Sequence, residues 1–121
     1  MSKPCSVLIV DDDASHLKLY SLLLEGGGFA PVPLLVKGAT LEIPKTRFQL
    51  AVVDYKLGVL TALDVVKELK KASKPVPILL LTDMMWMPDD VKPFVAAYVR
   101  KGDPDHLLEV LGRLTKQSKP A

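Results

Sequence analysis

Cysteine is almost missing from this chain. One residue, Cys5, among 121 excludes an internal disulfide, and without a CxxC pair or a Cys/His cluster there is no zinc site of the usual kind. Long apolar stretches are also missing. Runs such as Val7-Leu8-Ile9-Val10 and Ile78-Leu79-Leu80-Leu81 are far short of the roughly eighteen residues that a membrane span requires. Neither sign of charge dominates: Lys plus Arg number 16 and Asp plus Glu 14, a net +2, and the cations are dispersed along the chain. That removes the phosphate-backbone attraction behind most nucleic-acid affinity, so no nucleic-acid partner is expected through this chain. The start, Met-Ser-Lys-Pro-Cys, leads into a short apolar run that ends in three aspartates, which is not a secretory signal, and a cytoplasmic location is expected.

What is present is the composition of a globular protein. With 49% hydrophobic and 25% charged residues, residues 1–121 are expected to form one domain large enough for a real core, with a frayed tail at 117–121. Short continuous apolar runs alternate with segments of helical spacing, the pattern of strands buried on both faces and covered by helices. The fold class expected is α/β, one domain of five βα units around a five-stranded parallel sheet. Strands are predicted at 6–10, 29–36, 50–53, 78–81 and 97–99. Pro31 and Pro33 send the second to a sheet edge, because proline cannot donate to a central ladder.

Helices are predicted at 14–25, ended by Gly26-Gly27-Gly28, at 37–45 around Leu41, at 62–71 with Val66 and Leu69 inward, and from Pro104, with Asp103 as N-cap. Pro88 and Pro93 restrict any helix between Thr82 and Ala96 to a short stretch. His16 and His106 read as surface helix residues. Met84, Met85, Trp86 and Met87 admit two readings: an adaptable partner surface, or filler for core space left by a broken helix.

The polar residues that follow the strands carry the chemistry. Asp11 and Asp12 follow the first strand, Asp54 the third, Thr82 the fourth and Lys101 the fifth. In an open parallel sheet a site forms beyond the carboxyl ends of the strands, where the strand order reverses. Carboxylates gathered there repel unless a cation neutralises them, and an all-oxygen donor set favours magnesium over zinc or copper.

Taken in order, Val7-Leu8-Ile9-Val10-Asp11-Asp12-Asp13, Ala51-Val52-Val53-Asp54, Leu81-Thr82 and Tyr98-Val99-Arg100-Lys101 resemble the receiver domain of two-component response regulators, chemotaxis-regulator-like and spanning nearly the whole chain. The resemblance implies a doubly wound, flavodoxin-like (βα)5 sheet of strand order 2-1-3-4-5. It implies that Asp54 accepts a phosphoryl group from a histidine kinase or phosphotransfer protein, and that the phosphorylated form changes its affinity for a downstream protein. Magnesium would be held by Asp12 and Asp54 directly, by Asp11 through water and by the backbone carbonyl of Lys56. Thr82 and Tyr98 would form the switch pair. The role implied is a phosphoacceptor switch rather than a turnover enzyme.

The chemistry agrees: Asp54 supplies a nucleophile, while the Thr82 hydroxyl and the Lys101 ammonium can take phosphoryl oxygens. Several positions depart from the family's habit. Gly58 stands where proline is usual, Ala62 where glycine is usual, and Gly102 follows the lysine in place of the frequent proline. Lys56 can overhang the site, and Asp83 replaces a small residue beside Thr82. These departures leave open a degenerate receiver, a phosphorylation-independent interaction module in which Lys56 or Lys101 pairs with Asp54. A magnesium-dependent phosphatase would need a second aspartate two residues after the nucleophile, where Lys56 sits.

Overall fold

In the computed structural model, which describes residues 4–118, the chain runs β1 (Ser6–Asp11), α1 (Ala14–Gly26), β2 (Ala30–Leu35), β3 (Leu50–Asp54), β4 (Lys56–Leu57), β5 (Leu60–Thr61), α2 (Ala62–Lys71), β6 (Ile78–Thr82), β7 (Ala97–Arg100) and α3 (Pro104–Ser118), with a 3-10 turn at Lys92–Phe94 before β7. Five strands form one sheet in the order β2-β1-β3-β6-β7, and every pairing in it is parallel. Leaving aside the β4–β5 hairpin, this is the 2-1-3-4-5 order. The order reverses between β1 and β3, so the crevice at their carboxyl ends is the natural position for a site.

The central strands are apolar on both faces because each face is covered. Leu8, Val10, Ala51, Val53, Ile78 and Leu80 pack towards α2, and Val7, Ile9, Val52, Leu79, Leu81 and Val99 pack with Leu17 and Leu24 of α1 and Leu107, Leu111 and Leu114 of α3. Pro31 and Pro33 lie opposite Val7 and Ile9 on the outermost strand, β2. At the end of α1, Gly28 adopts φ +89°, a left-handed turn that lets the Phe29 amide donate to the Leu24 carbonyl at 2.9 Å.

The helix predicted at 37–45 does not form. The segment instead makes a tight turn closed by a Lys37–Thr40 bridge, with Gly38 at φ +59°. Leu41 and Ile43 pack half-buried against the core, and Lys74 Nζ donates to the Pro44 carbonyl at 3.0 Å. Burial of two alternate residues outweighs a weak helical signal already limited by Pro44. Residues 83–96 hold only the 3-10 turn, as the prolines require. Three α-helices therefore cover the five-stranded sheet, and two of its crossovers are loops. Of the tail expected to fray, 117–121, residues 119–121 lie outside the described residues, and α3 runs through Ser118.

The hairpin after β3 was not predicted. Leu57 and Leu60 pair across Gly58-Val59, and Gly58 takes φ +68°, the first position of a two-residue turn that favours glycine. Thr61 ends the hairpin and opens α2 with a capping box: its hydroxyl accepts from the Leu63 amide at 3.3 Å, and the Asp64 carboxylate accepts from the Thr61 amide at 2.9 Å. Thr61→Ala should cost about 1 kcal/mol, a drop of roughly 4 °C in Tm for a domain of this size, measurable by a thermal melt.

Candidate phosphoryl and metal site

Three strand ends bring the acidic residues together. Val10 pairs with Val53, so Asp11 and Asp54 follow at the same level on adjacent strands and both are buried, at 1% and 2% exposure. Asp12 stays exposed at the mouth. One carboxylate oxygen from each of Asp11, Asp12 and Asp54 lies within 4.8 Å of the others. Asp11 Oδ1 accepts from the Asp13 amide at 3.0 Å, whereas Asp11 Oδ2 is buried without a hydrogen-bond partner among the described residues. Burial is the main cause that raises the Asp11 pKa above the ordinary 3.8, with the Asp54 charge adding to it.

Asp54 has a cation beside it. Lys101, delivered by the turn after β7, donates from Nζ to Asp54 Oδ2 at 2.7 Å. Burial still dominates and raises the Asp54 pKa, while the Lys101 contact and the Lys56 amide act against the rise. Desolvation is the largest single influence on Lys101 and lowers its pKa, but the hydrogen bond to Asp54 together with the charges of Asp54, Asp83 and Asp11 shifts it upward on balance. The pair therefore holds a lysine firmly charged against a carboxylate that burial penalises, the state in which an added cation is favourable.

Thr82 is buried at the end of β6, and its Oγ1 accepts from the Met84 amide at 3.0 Å, a local turn that fixes the side chain. Thr82, Asp83, Met84, Lys101, Asp54, Tyr55 and Lys56 line one cleft of about 130 Å³. The structure thus gathers Asp11, Asp12, Asp54, Thr82 and Lys101 at one edge. The predicted outliers Lys56 and Asp83 also line the cleft, although each residue is exposed. Tyr98 is set apart: its ring is 37% exposed, and its hydroxyl donates to the Met85 carbonyl at 3.5 Å. The methionine and tryptophan cluster divides between its two readings. Met87 packs against the core, while Met85 and Trp86 are 71% and 68% exposed.

One contact near the site had no counterpart in the reading of the sequence. The Tyr55 hydroxyl donates to the Asp90 carboxylate at 3.0 Å, tying the residue after Asp54 to the loop that replaces a helix. The two are 35 positions apart, and no local pattern announces such a pair.

An all-oxygen cluster with two buried acids and an orphaned carboxylate oxygen fits a hard divalent cation such as Mg²⁺. Next to it, Lys101 and the Thr82 hydroxyl can receive an anionic group bonded to Asp54.

No family model matches the chain. Among curated proteins it is similar to the transcriptional regulatory protein ZraR of Salmonella typhimurium, 32% identical over 78 residues, which cover 63% of this chain and 18% of that protein. It is also similar to the transcriptional regulatory protein GlrR of Escherichia coli, 27% identical over an alignment covering 98% of this chain and 28% of that protein. The chain thus matches less than a third of the length of either relative. Among solved structures, the chemotaxis response regulator CheY4 of Vibrio cholerae superposes with a TM-score of 0.76 at 24% identity, over 92% of this chain and 98% of that one. The response regulator TrrA of Thermotoga maritima, in complex with Mg²⁺-BeF, superposes with a TM-score of 0.76 at 23% identity, over 91% and 98%. Full-length FixJ of B. japonicum reaches 0.81 at 23% identity, over 98% of this chain and 61% of that one. In strand order, superposition and the placement of its polar residues at the strand ends, this chain has the fold of the response-regulator receiver domain.

Proposed function

We propose that residues 1–121 act as one phosphorylatable receiver domain of a two-component system, with Asp54 as the phosphoryl acceptor. The observation that carries this reading is the cleft in which Asp54, buried to 2% exposure, meets Lys101 at 2.7 Å with Thr82 beside it. A carboxylate oxygen of Asp54 attacks phosphorus in a phosphohistidine of the kinase or phosphotransfer protein. The P–N bond breaks as the O–P bond forms, and the leaving imidazole takes up a proton. Lys101 balances one phosphoryl oxygen as a point charge and Thr82 donates its hydroxyl to another.

Asp11, Asp12 and Asp54, with the backbone carbonyl of Lys56, would hold Mg²⁺. Once bound, it offsets the crowded carboxylates and the charge of the phosphoryl oxygens. On this reading the protein is a cytoplasmic switch rather than a turnover enzyme. Drawing Thr82 towards the phosphoryl group disturbs its bond to the Met84 amide, and Met85 in turn carries the Tyr98 contact. The segment 83–98 is therefore the route by which phosphorylation alters the affinity for a downstream protein. Val59, Met85 and Trp86, each well over half exposed, lie on the two loops that flank the cleft and provide apolar contacts for a protein phosphodonor.

Incubating the chain with a small phosphodonor and Mg²⁺ tests this. Intact-protein mass spectrometry should show one phosphoryl group, lost under mild base as expected of an acyl phosphate. No uptake by the well-folded protein would favour the phosphorylation-independent module instead. The two unusual residues should tune the rate. Asp83→Ala removes a negative charge that an incoming phosphoryl dianion meets at the mouth and should speed uptake by up to about tenfold, solvent screening setting the ceiling. Lys56→Ala should slow it by a similar factor. A time course on the two single variants and the double variant reads both effects, and unchanged rates in all three would reduce these positions to surface variation.

A further inference from the structure

The outward side of α1 has no partner in the fold. Leu17 and Leu24 face the core with Tyr20 beside them. On the opposite side of the helix lie Ser15, Leu19, Leu22 and Gly26, all exposed. Leu19 and Leu22 are 63% and 57% exposed, at positions where a surface helix ordinarily carries charge. The spacing 15, 19, 22, 26 is that of a two-helix seam, and the small residues at its ends let a second helix approach closely. An apolar cleft of about 260 Å³, lined by Leu19, Tyr20, Leu23, Pro104 and Leu107, extends this surface towards α3.

The charges beside the stripe select an occupant. Lys18 and Glu25 are both exposed, lie on the same flank by helical geometry, and form no ion pair among the described residues. We infer that α1 is a self-association surface that pairs antiparallel with α1 of a second copy, about a two-fold axis passing between Leu19 and Leu22. In that arrangement Leu19 faces Leu22 of the second copy and Ser15 faces its Gly26. Lys18 meets Glu25 of the second copy, and symmetry makes this contact twice. A parallel alignment would put the two charges on opposite flanks and lose both pairs.

The 13 residues of α1 span only about 20 Å, so the seam and its cleft bury less than the roughly 800 Å² per partner of a standard stable interface. The dimer is accordingly weak, with a dissociation constant on the order of 10–100 μM. It rests on α1 alone and does not require that Asp54 be a phosphoryl acceptor.

Sedimentation equilibrium of the full chain, from about 5 μM to about 500 μM so as to bracket that constant, tests the inference. The wild type should pass from monomer to dimer over this range. Lys18→Glu and Glu25→Lys should each weaken the dimer about tenfold, because each turns two attractions into two repulsions, and the double variant should restore it to within about twofold. Leu22→Asp should abolish it while leaving the melting temperature nearly unchanged, since Leu22 lies outside the core. A chain that stays monomeric throughout, or a dimer indifferent to the charge variants, would overturn the inference.

Discussion

Lys101→Ala should slow phosphoryl uptake from a small phosphodonor by about 100- to 1000-fold, the usual cost of removing one preorganised donor from a developing oxyanion. The reason is local. Lys101 is the cation in contact with Asp54, at 2.7 Å, and its charge is secured because that contact and the surrounding carboxylate charges together overcome its desolvation. Without it, Asp54 stays buried with Asp11 on the neighbouring strand, its carboxylate is penalised further, and both the nucleophile and the balancing charge are lost. Lys101→Arg keeps the charge but not the compact ammonium, and should recover only part of the rate. Rates read by intact mass well below the melting temperature, with circular dichroism to confirm folding, separate this effect from a loss of structure. A rate within threefold of wild type would remove Lys101 from the mechanism.

The second large effect is on stability. In a chelator, Asp11→Asn should melt higher than the wild type by roughly 4 °C, since it removes one of two crowded buried charges and a carboxylate oxygen with no partner. Adding Mg²⁺ at ten times its dissociation constant should stabilise the wild type by about 1.4 kcal/mol, again several degrees, and should not move Asp12→Ala. The pH dependence has a fixed sign. Asp11 and Asp54 are both shifted upward by burial, so the folded state prefers their protonated forms. Their contribution is complete below the ordinary pKa of 3.8 and is lost as pH rises through the raised values. The metal-free melting temperature should therefore lose this contribution above that pH, and Mg²⁺ should restore it. Asp13, shifted downward by the amides of His16 and Ser15 that it caps, works in the opposite sense, which makes Asp11→Asn in chelator the cleaner comparison. Melts that are insensitive to Mg²⁺ and to Asp12→Ala would argue against a metal site.

Much of this was legible in the amino-acid order because the site sits where apolar runs end. Asp11, Asp54 and Thr82 each close a central strand, and Lys101 follows the last, so strand prediction brought four candidate residues to one edge at once. The helix at 62–71 was readable because Val66 and Leu69 give it one buried side, whereas its capping box of Thr61 and Asp64 emerged only in the structure. Failures came where tertiary packing decides. Leu41 and Ile43 satisfy the sheet without a helix, and the two-residue strands of the hairpin are too short to show alternation. The bond from Tyr98 to the Met85 carbonyl was also illegible, because it joins strand β7 to a loop with no periodic relation between them. The Tyr55–Asp90 bond was illegible on the same ground.

The central claim is that Asp54, rather than any neighbouring acid, carries the phosphoryl group. Borohydride reduction of the phosphodonor-treated chain, followed by peptide mapping, reads it directly, because reduction of an acyl phosphate converts the acceptor aspartate to homoserine. The account predicts conversion at Asp54 alone, dependent on Mg²⁺ and absent from Asp54→Asn. Conversion at Asp11, Asp12 or Asp83 with Asp54 untouched, or none at all in the folded wild type, would contradict it.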